Sequence, residues 1–231
     1  MTAEFTERDN GVIRTFQYCP ESSVEFQTKK QDVKILDTFL FGKTLFIDGV
    51  LQSSVRDEGI YHHALVNTIM EKHPTARSVC IVGGGEGATA REVLKWQNVE
   101  RVDMIDWDQE LVEFFRDFET DWHKGALKSP KLYIEYADIF EVSKQRRMYD
   151  VVIVDLTDPD MSDPRWAAVI KQIAKWKNPG GGFIMNAGGV LPWDSGAVPQ
   201  IKSILGSLFP VVSFKTFVPS FCREWAFVMN V

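Results

Sequence analysis

Cysteine is scarce: Cys19, Cys80 and Cys222 are the three in 231 residues, widely spaced and odd in number. They offer neither a disulfide framework nor metal-ligand spacing, so a reducing, cytoplasmic setting is expected. No run of Lys and Arg occurs, and the net charge is −6 at pH 7, which argues against a nucleic-acid surface. No apolar run reaches the length of a membrane span, and the polar start, MTAEFTERDNG, is unlike a signal peptide. Internal repeats and low-complexity segments are lacking too. What remains is an ordinary globular composition, 45% hydrophobic and 25% charged, sufficient for one large domain or a domain with a small appendage. The acidic balance suits a cationic substrate.

The chain changes character near residue 55. Before it, β-rich segments alternate at 12–18, 24–28, 32–38 and 44–47, and Asp48-Gly49 is a hairpin turn signal leading to a returning strand at 50–53. From Glu58 the apolar residues Ile60, Tyr61, Ala64, Leu65 and Ile69 recur at helical spacing. Strands at 78–82, 101–105, 132–136, 150–154 and 182–186 then alternate with helices at 88–96, 109–118, 165–176 and 198–208. Segments 211–217 and 224–229 close the chain as an antiparallel hairpin, and residues 178–182 (Asn-Pro-Gly-Gly-Gly) read as a turn feeding a strand. This pattern implies an α/β fold: a small antiparallel N-terminal β domain over 1–55, then a mostly parallel sheet with helices on both faces over 56–231.

The most informative stretch is VCIVGGGEGATARE, residues 79–92. An apolar strand runs into Gly83, Gly84 and Gly85, then Glu86, another glycine and a helix. That order puts the glycines at the carboxyl edge of a parallel sheet, where α/β proteins bind ligands, and lets backbone approach a nucleoside closely. Asp106 ends the next strand, about twenty residues on, where an acid accepts hydrogen bonds from ribose hydroxyls; capping of the following helix is its alternative role. Glu86 inside the turn would repel a pyrophosphate and attract a cation. A nucleoside bearing a positive group, such as a sulfonium, is therefore favoured over NAD.

These residues resemble the polyamine aminopropyltransferase family, spermidine synthase and its relatives. LFIDGVLQSSVRDEGIYHHAL (45–65) is similar to the family's LxLDGxxQ…DExxYHExL, and VCIVGGGEGATAREVLKW to its IIGGGDGGxxREVLKH. VDMIDWDQELV, EYADIFEV and VVIVDLTDP match three further motifs in family order. The resemblance implies a Rossmann-like, methyltransferase-type sheet. It also implies transfer of the aminopropyl group of decarboxylated S-adenosylmethionine, as a co-substrate with no permanent cofactor, to a small cationic amine. Putrescine is the expected acceptor, giving spermidine and methylthioadenosine. The acceptor amine, with a pKa of roughly 10, must lose a proton before attack, and a carboxylate in reach can take it. Asp155 would be that base and Asp158 the anchor for an acceptor amine; a plain Asx turn before Pro159 is the bland alternative. By the same resemblance Tyr61 and Phe221 line the acceptor site, Gln27 and Gln52 lie near the donor's sulfonium and amine end, and Glu86 holds the donor's ammonium. Asp138 and Ile139 lie beside the adenine. A homodimer is expected, with no nucleic-acid or membrane partner. His62 and His63 read as a helix-surface pair, and no metal is assigned.

Departures from the family pattern touch specificity. Glu86 stands for an aspartate, Asp106 for a glutamate and Ile139 for a small residue. The tryptophan that walls the family's acceptor pocket is missing from MTAEFTERD. Two other readings remain on the same fold: a methyltransferase acting on a small amine, and a non-catalytic nucleoside-binding relative.

Overall fold

The computed structural model describes residues 2–9, 11–142 and 147–231. Five strands come first: β1 (Ala3–Asp9), β2 (Val12–Gln27), β3 (Asp32–Thr38), β4 (Gly42–Ile47) and β5 (Val50–Ser54). They form an antiparallel meander in sequence order. Asp48 and Gly49 connect β4 to β5 with φ of 51° and 79°, the pair of positive values a type I′ turn demands. Two expectations are corrected here. β1 was not anticipated, because its polar, charged sequence alternates with only Phe5 as a large apolar residue. Segments 12–18 and 24–28 are one strand, β2, whose pairing with β3 slips between Cys19 and Val24, where Pro20 cannot donate to the ladder.

A helical passage follows: α1 (Glu58–His62), a π-wound turn over His63–Asn67, and α2 (Thr68–Met70). The larger sheet then alternates with helices: β6 (Ser78–Gly83), α3 (Ala88–Leu94), β7 (Arg101–Asp106), α4 (Gln109–Asp117), β8 (Leu132–Tyr136), β9 (Tyr149–Asp155), α5 (Arg165–Ala174), β10 (Lys177–Val190), α6 (Val198–Gly206), β11 (Val211–Val218) and β12 (Arg223–Asn230). Its order is β11-β12-β10-β9-β6-β7-β8. β6 to β10 pair in parallel, and β12 runs antiparallel to both its neighbours. Residues 178–181 are not a free turn: they lie within β10, as a register jump against β9 between Lys177 and Gly182.

The two-residue period of β6 explains the layering. Val79 and Ile81 face one core, shared with α3 and α4 through Val93, Leu111, Val112 and Phe115. Cys80 and Val82 face the other, with Val169 and Ile173 of α5 and Ile201 and Leu205 of α6. Val33, Ile35 and Leu45 of the small sheet belong to the first core, so the two sheets share one apolar interior. A third cluster joins Phe16, Leu36, Phe46 and Leu51 to Val218 and Phe221 at the β11–β12 turn. Among the described residues no helix is long and apolar enough to cross a membrane.

Asp57 ties these layers together. It is buried, and its Oδ2 accepts from the Ser220 amide at 2.6 Å while Oδ1 accepts from the hydroxyls of Ser54 (2.7 Å) and Ser220 (3.0 Å). Removing the carboxylate strands three buried donors. Asp57→Ala is expected to lower stability by about 3 kcal/mol, read as a lower urea midpoint at unchanged slope, with Asp57→Asn recovering part of the loss.

Candidate active site

In the larger sheet the chain steps outward from β6 to β7 and β8, then returns to place β9 and β10 on the other side of β6. Ligands of open α/β sheets bind at the carboxyl ends of the strands flanking such a reversal. A cavity of about 650 Å³ lies there. It is lined by Gly83 to Glu86 after β6, Asp106 at the end of β7, Ala137 to Phe140 after β8, and Asp155 to Asp158 after β9. The β4–β5 hairpin, Tyr61 and His62 of α1, and Phe221, Arg223 and Trp225 complete the wall.

The glycine run is dictated by the site's own acids. Gly83 pairs with Asp155 across the ladder, and at its φ of +86° a Cβ would stand 2.1 Å from the Asp155 carbonyl oxygen. The Gly84 amide donates to that same oxygen at 3.0 Å. A Cβ on Gly85 would sit 3.0 Å from Asp106 Oδ2. The turn is thus drawn between the two aspartates, and both carboxylates border one space. Helix capping falls to Asp108, whose Oδ1 accepts from the Leu111 amide. Asp106 instead takes the Asp108 amide at 2.9 Å. Burial, with the nearby charges of Glu86 and Asp108, pushes the Asp106 carboxyl up to about 7 against the pull of the Asp108 amide.

Asp155 accepts from the Tyr61 hydroxyl at 2.7 Å through Oδ1 and from the Thr89 hydroxyl through Oδ2. Burial and the charge of Glu86 raise its carboxyl above the usual range, while His62, Thr89 and Tyr61 act in the opposite direction. Tyr61 is set by aromatic contacts, with Phe227 at 5.3 Å and Phe221 at 6.4 Å between ring centres.

His62 corrects the expectation of a surface pair. His63 is exposed, but His62 is buried. Its Nδ1 lies 2.9 Å from Glu58 Oε2 and its Nε2 3.1 Å from Glu86 Oε1. Burial disfavours the charged ring, yet the bonds to Glu58 and Glu86 and the field of Asp155 outweigh it and raise the pKa to about 10. Glu58 is gripped in turn by both terminal nitrogens of Arg91, each at 2.8 Å, and Arg91 also meets Glu92. Despite the burial penalty, His62 and Arg91 hold the Glu58 carboxyl down at about 2. A buried chain of alternating charge, Glu86–His62–Glu58–Arg91–Glu92, thus runs from the cavity into the core. The spacing of Glu58 and His62, one helical turn, could have flagged half of it; Glu86 joins only through the fold. Ligand atoms of His62, Glu86 and Asp155 lie within 4.8 Å of one another, but both ring nitrogens of His62 are engaged by carboxylates, which suits an imidazolium and not a metal ligand.

Asp158 opens onto the cavity, with protein crowding its carboxyl. That crowding outweighs a hydrogen bond from Asn186, and with the charge of Asp9 brings it up to about 6. Gln52, Asp138, Ile139 and Phe221 also line the cavity. Gln27 does not: it is exposed at the end of β2 and pairs with Asp32. Gln31 lines the wall instead, and among the described residues its buried Oε1 accepts no hydrogen bond. The chain turns between the two glutamines, and no local pattern distinguishes them.

A family model described as "Spermine/spermidine synthase domain" matches residues 58–231. The chain belongs to the spermine/spermidine synthase family. It is 45% identical over 137 residues to polyamine aminopropyltransferase 1 of Hyperthermus butylicus, covering 58% of this chain and 47% of that protein. To thermospermine synthase ACAULIS5 of Arabidopsis thaliana it is 38% identical, covering 86% of this chain and 61% of that one. Polyamine aminopropyltransferase 2 of Hyperthermus butylicus matches at 36% over 98% of this chain and 75% of its own length. The first two alignments thus span about half to three-fifths of those relatives. The crystal structure of spermidine synthase from Thermotoga maritima shares the fold, with a TM-score of 0.87, 24% identity, and coverage of 99% of this chain and 79% of that one. The Rossmann-like α/β sheet with a small antiparallel N-terminal sheet is therefore the family's fold.

Within this synthase-family site the His62 charge carries a pH signature. Its pKa is about 10 when folded against roughly 6.5 unfolded, so the stability it supplies is fully present below pH 6.5. It is lost as pH rises towards 10. The urea midpoint of His62→Gln should fall well short of wild type at pH 6, and that gap should narrow by pH 9.5.

Proposed function

We propose that this chain transfers the aminopropyl group of decarboxylated S-adenosylmethionine to a polyamine acceptor, with putrescine the expected one. The observation that carries the reading is Asp155: a half-buried carboxylate with a raised pKa, fixed by two hydroxyl donors between the glycine turn and Asp158. A neutral acceptor nitrogen attacks the methylene carbon beside the sulfonium. The new C–N bond forms as the C–S bond breaks, its electron pair returns to sulfur, and methylthioadenosine leaves. The proton shed by the acceptor nitrogen goes to Asp155. A carboxylate raised above its ordinary range by burial and by the charge of Glu86 takes up a proton more readily than an ordinary one.

The remaining residues bind and orient. Asp106 takes the ribose hydroxyls, and Asp138 and Ile139 flank the adenine. Gln31, with its orphaned amide oxygen, takes the donor-side role first given to Gln27, with Gln52 nearby. Glu86, held from behind by His62, faces the donor's ammonium. Asp158 holds an ammonium of the acceptor, with Tyr61 and Phe221 as its apolar walls. Two cations are thereby brought together in one field of opposite sign, which offsets their mutual repulsion and sets the line of attack. Glu86 beside Asp155 counts against a methyl donor that carries a carboxylate. A homodimer, as expected from the family, belongs to the same proposal and is checked by light scattering.

Turnover with decarboxylated donor and putrescine tests the reading. Asp155→Asn should lower kcat by about 10²- to 10⁴-fold and leave the calorimetric affinity for methylthioadenosine unchanged. Asp106→Ala should weaken that affinity by about tenfold or more. An Asp155→Asn enzyme with wild-type turnover would refute the assignment of the base. The acceptor KM should also rise by about tenfold as pH falls from 7 to 5, because Asp158 protonates near 6 and its ionised fraction drops tenfold per unit below that. Asp158→Asn should flatten this dependence.

A further inference from the structure

Beyond Asp158 the cavity wall carries charge that the proposed reaction does not use. Asp9, at the end of β1, and Arg223, at the start of β12, both line it. Arg223 Nη2 lies 3.3 Å from Asp9 Oδ2, and the two side chains are 11% and 22% exposed. Consecutive glycines of β10 set Arg223 beside Asp158. A Cβ on Gly188 would stand 3.2 Å from the Asp158 carboxyl, and one on Gly189 only 2.5 Å from Arg223 Cδ. The wall's other nearby guanidinium, Arg14, is consumed as a brace: its Nε lies 2.7 Å from Glu7 and its Nη1 donates to the Phe221 carbonyl at 2.7 Å. Among the described residues Arg223 makes one ion pair, the longer one with Asp9, and its charge also acts on the Asp158 carboxylate, so it sits on the cavity wall between the two acids.

Linear polyamines carry their ammonium groups a few methylenes apart. With the reacting nitrogen at Asp155 and the next at Asp158, a third nitrogen reaches the Asp9–Arg223 pair; this step rests on the aminopropyl-transfer reading above. We infer that Asp9 and Arg223 select the acceptor by the charge at its far end. Asp9 draws a third ammonium, Arg223 repels it, and the balance between them sets the preference between diamine and triamine. A diamine ends at Asp158 and feels the pair weakly.

The full chain, assayed with decarboxylated donor against putrescine and spermidine, tests this. Arg223→Met keeps the stem over Gly189 and removes the charge. It should raise the spermidine-to-putrescine ratio of kcat/KM by about tenfold, mainly through a lower KM for spermidine. Arg223→Gln should act in the same direction, Arg223→Lys should restore the wild-type ratio, and Asp9→Asn should lower it. A ratio unmoved by both Arg223→Met and Arg223→Gln, with putrescine turnover retained, would make the pair a strap between β1 and β12 and overturn the inference alone. Wild-type enzyme that transfers to neither amine would overturn the aminopropyl reading and this inference with it.

Discussion

Crowding of like charge governs this site. Glu86, Asp106, Asp155 and Asp158 border one cavity of limited dielectric, and carboxylates so placed resist ionising together. Burial is the main cause that raises Asp106, Asp155 and Asp158, and neighbouring carboxylates add to it: Glu86 for the first two and Asp9 for Asp158. The charge chain behind Glu86 is what makes the arrangement tenable. His62 neutralises the cavity from below, Glu58 keeps His62 protonated, and Arg91 keeps Glu58 ionised. Each member is buried at a cost that its neighbour offsets, so removal of one leaves an uncompensated charge in the interior. The residual negative field is one that entering cations can satisfy.

Backbone topology decides where this field is felt. The reversal of strand order beside β6 separates the loops after β6 and β9 enough to open a crevice, yet the ladder keeps Gly83 and Asp155 in register. The glycines are therefore as much a packing requirement of Asp155 and Asp106 as a landing surface for a ligand. The small sheet is not an ornament on this frame. Its β4–β5 hairpin walls the cavity, its apolar face merges with the main core, and Asp57 fixes its exit to the loop bearing Phe221.

Sequence periodicity carried the larger sheet well, because a buried parallel strand followed by an amphipathic helix leaves an unambiguous alternation between residues 78 and 176. The glycine turn, Asp106 and Asp155 were legible for the same reason: each stands at a strand end, strand ends meet in space, and Asp158 follows in the loop directly after β9. β1 was not legible. Its burial is of Glu7, which accepts from the Leu51 amide and pairs with Arg14, and a buried acid in a charged segment looks like a loop residue. Gln31 and His62 were missed because their surroundings are assembled from afar. Gln31 borders residues some seventy positions away, and His62 meets Glu86 across a strand and a turn. Local pattern reports which face of an element is apolar; it does not report which polar side chain on the other face will be enclosed.

Attraction and reactivity make opposite demands on this cavity. A strongly negative site gathers amines, but it gathers them as ammonium ions, which have no lone pair with which to attack. Lowering the field would free the amine and lose its affinity. The arrangement around Asp155 separates the two tasks. On the proposed reading Glu86 and Asp158 would hold each substrate by its non-reacting end, while Asp155, its carboxyl raised by burial and by the charge of Glu86, would take the proton where the nucleophilic nitrogen arrives. Tyr61 and Thr89 donate to Asp155, which limits that rise and fixes where the carboxylate points. The longer arm of Glu86, relative to the aspartate of the family pattern, lets its carboxylate touch His62 without leaving the cavity wall. Its position is then fixed by the protein before any donor binds, and the field that tunes Asp155 is built in advance of the reaction.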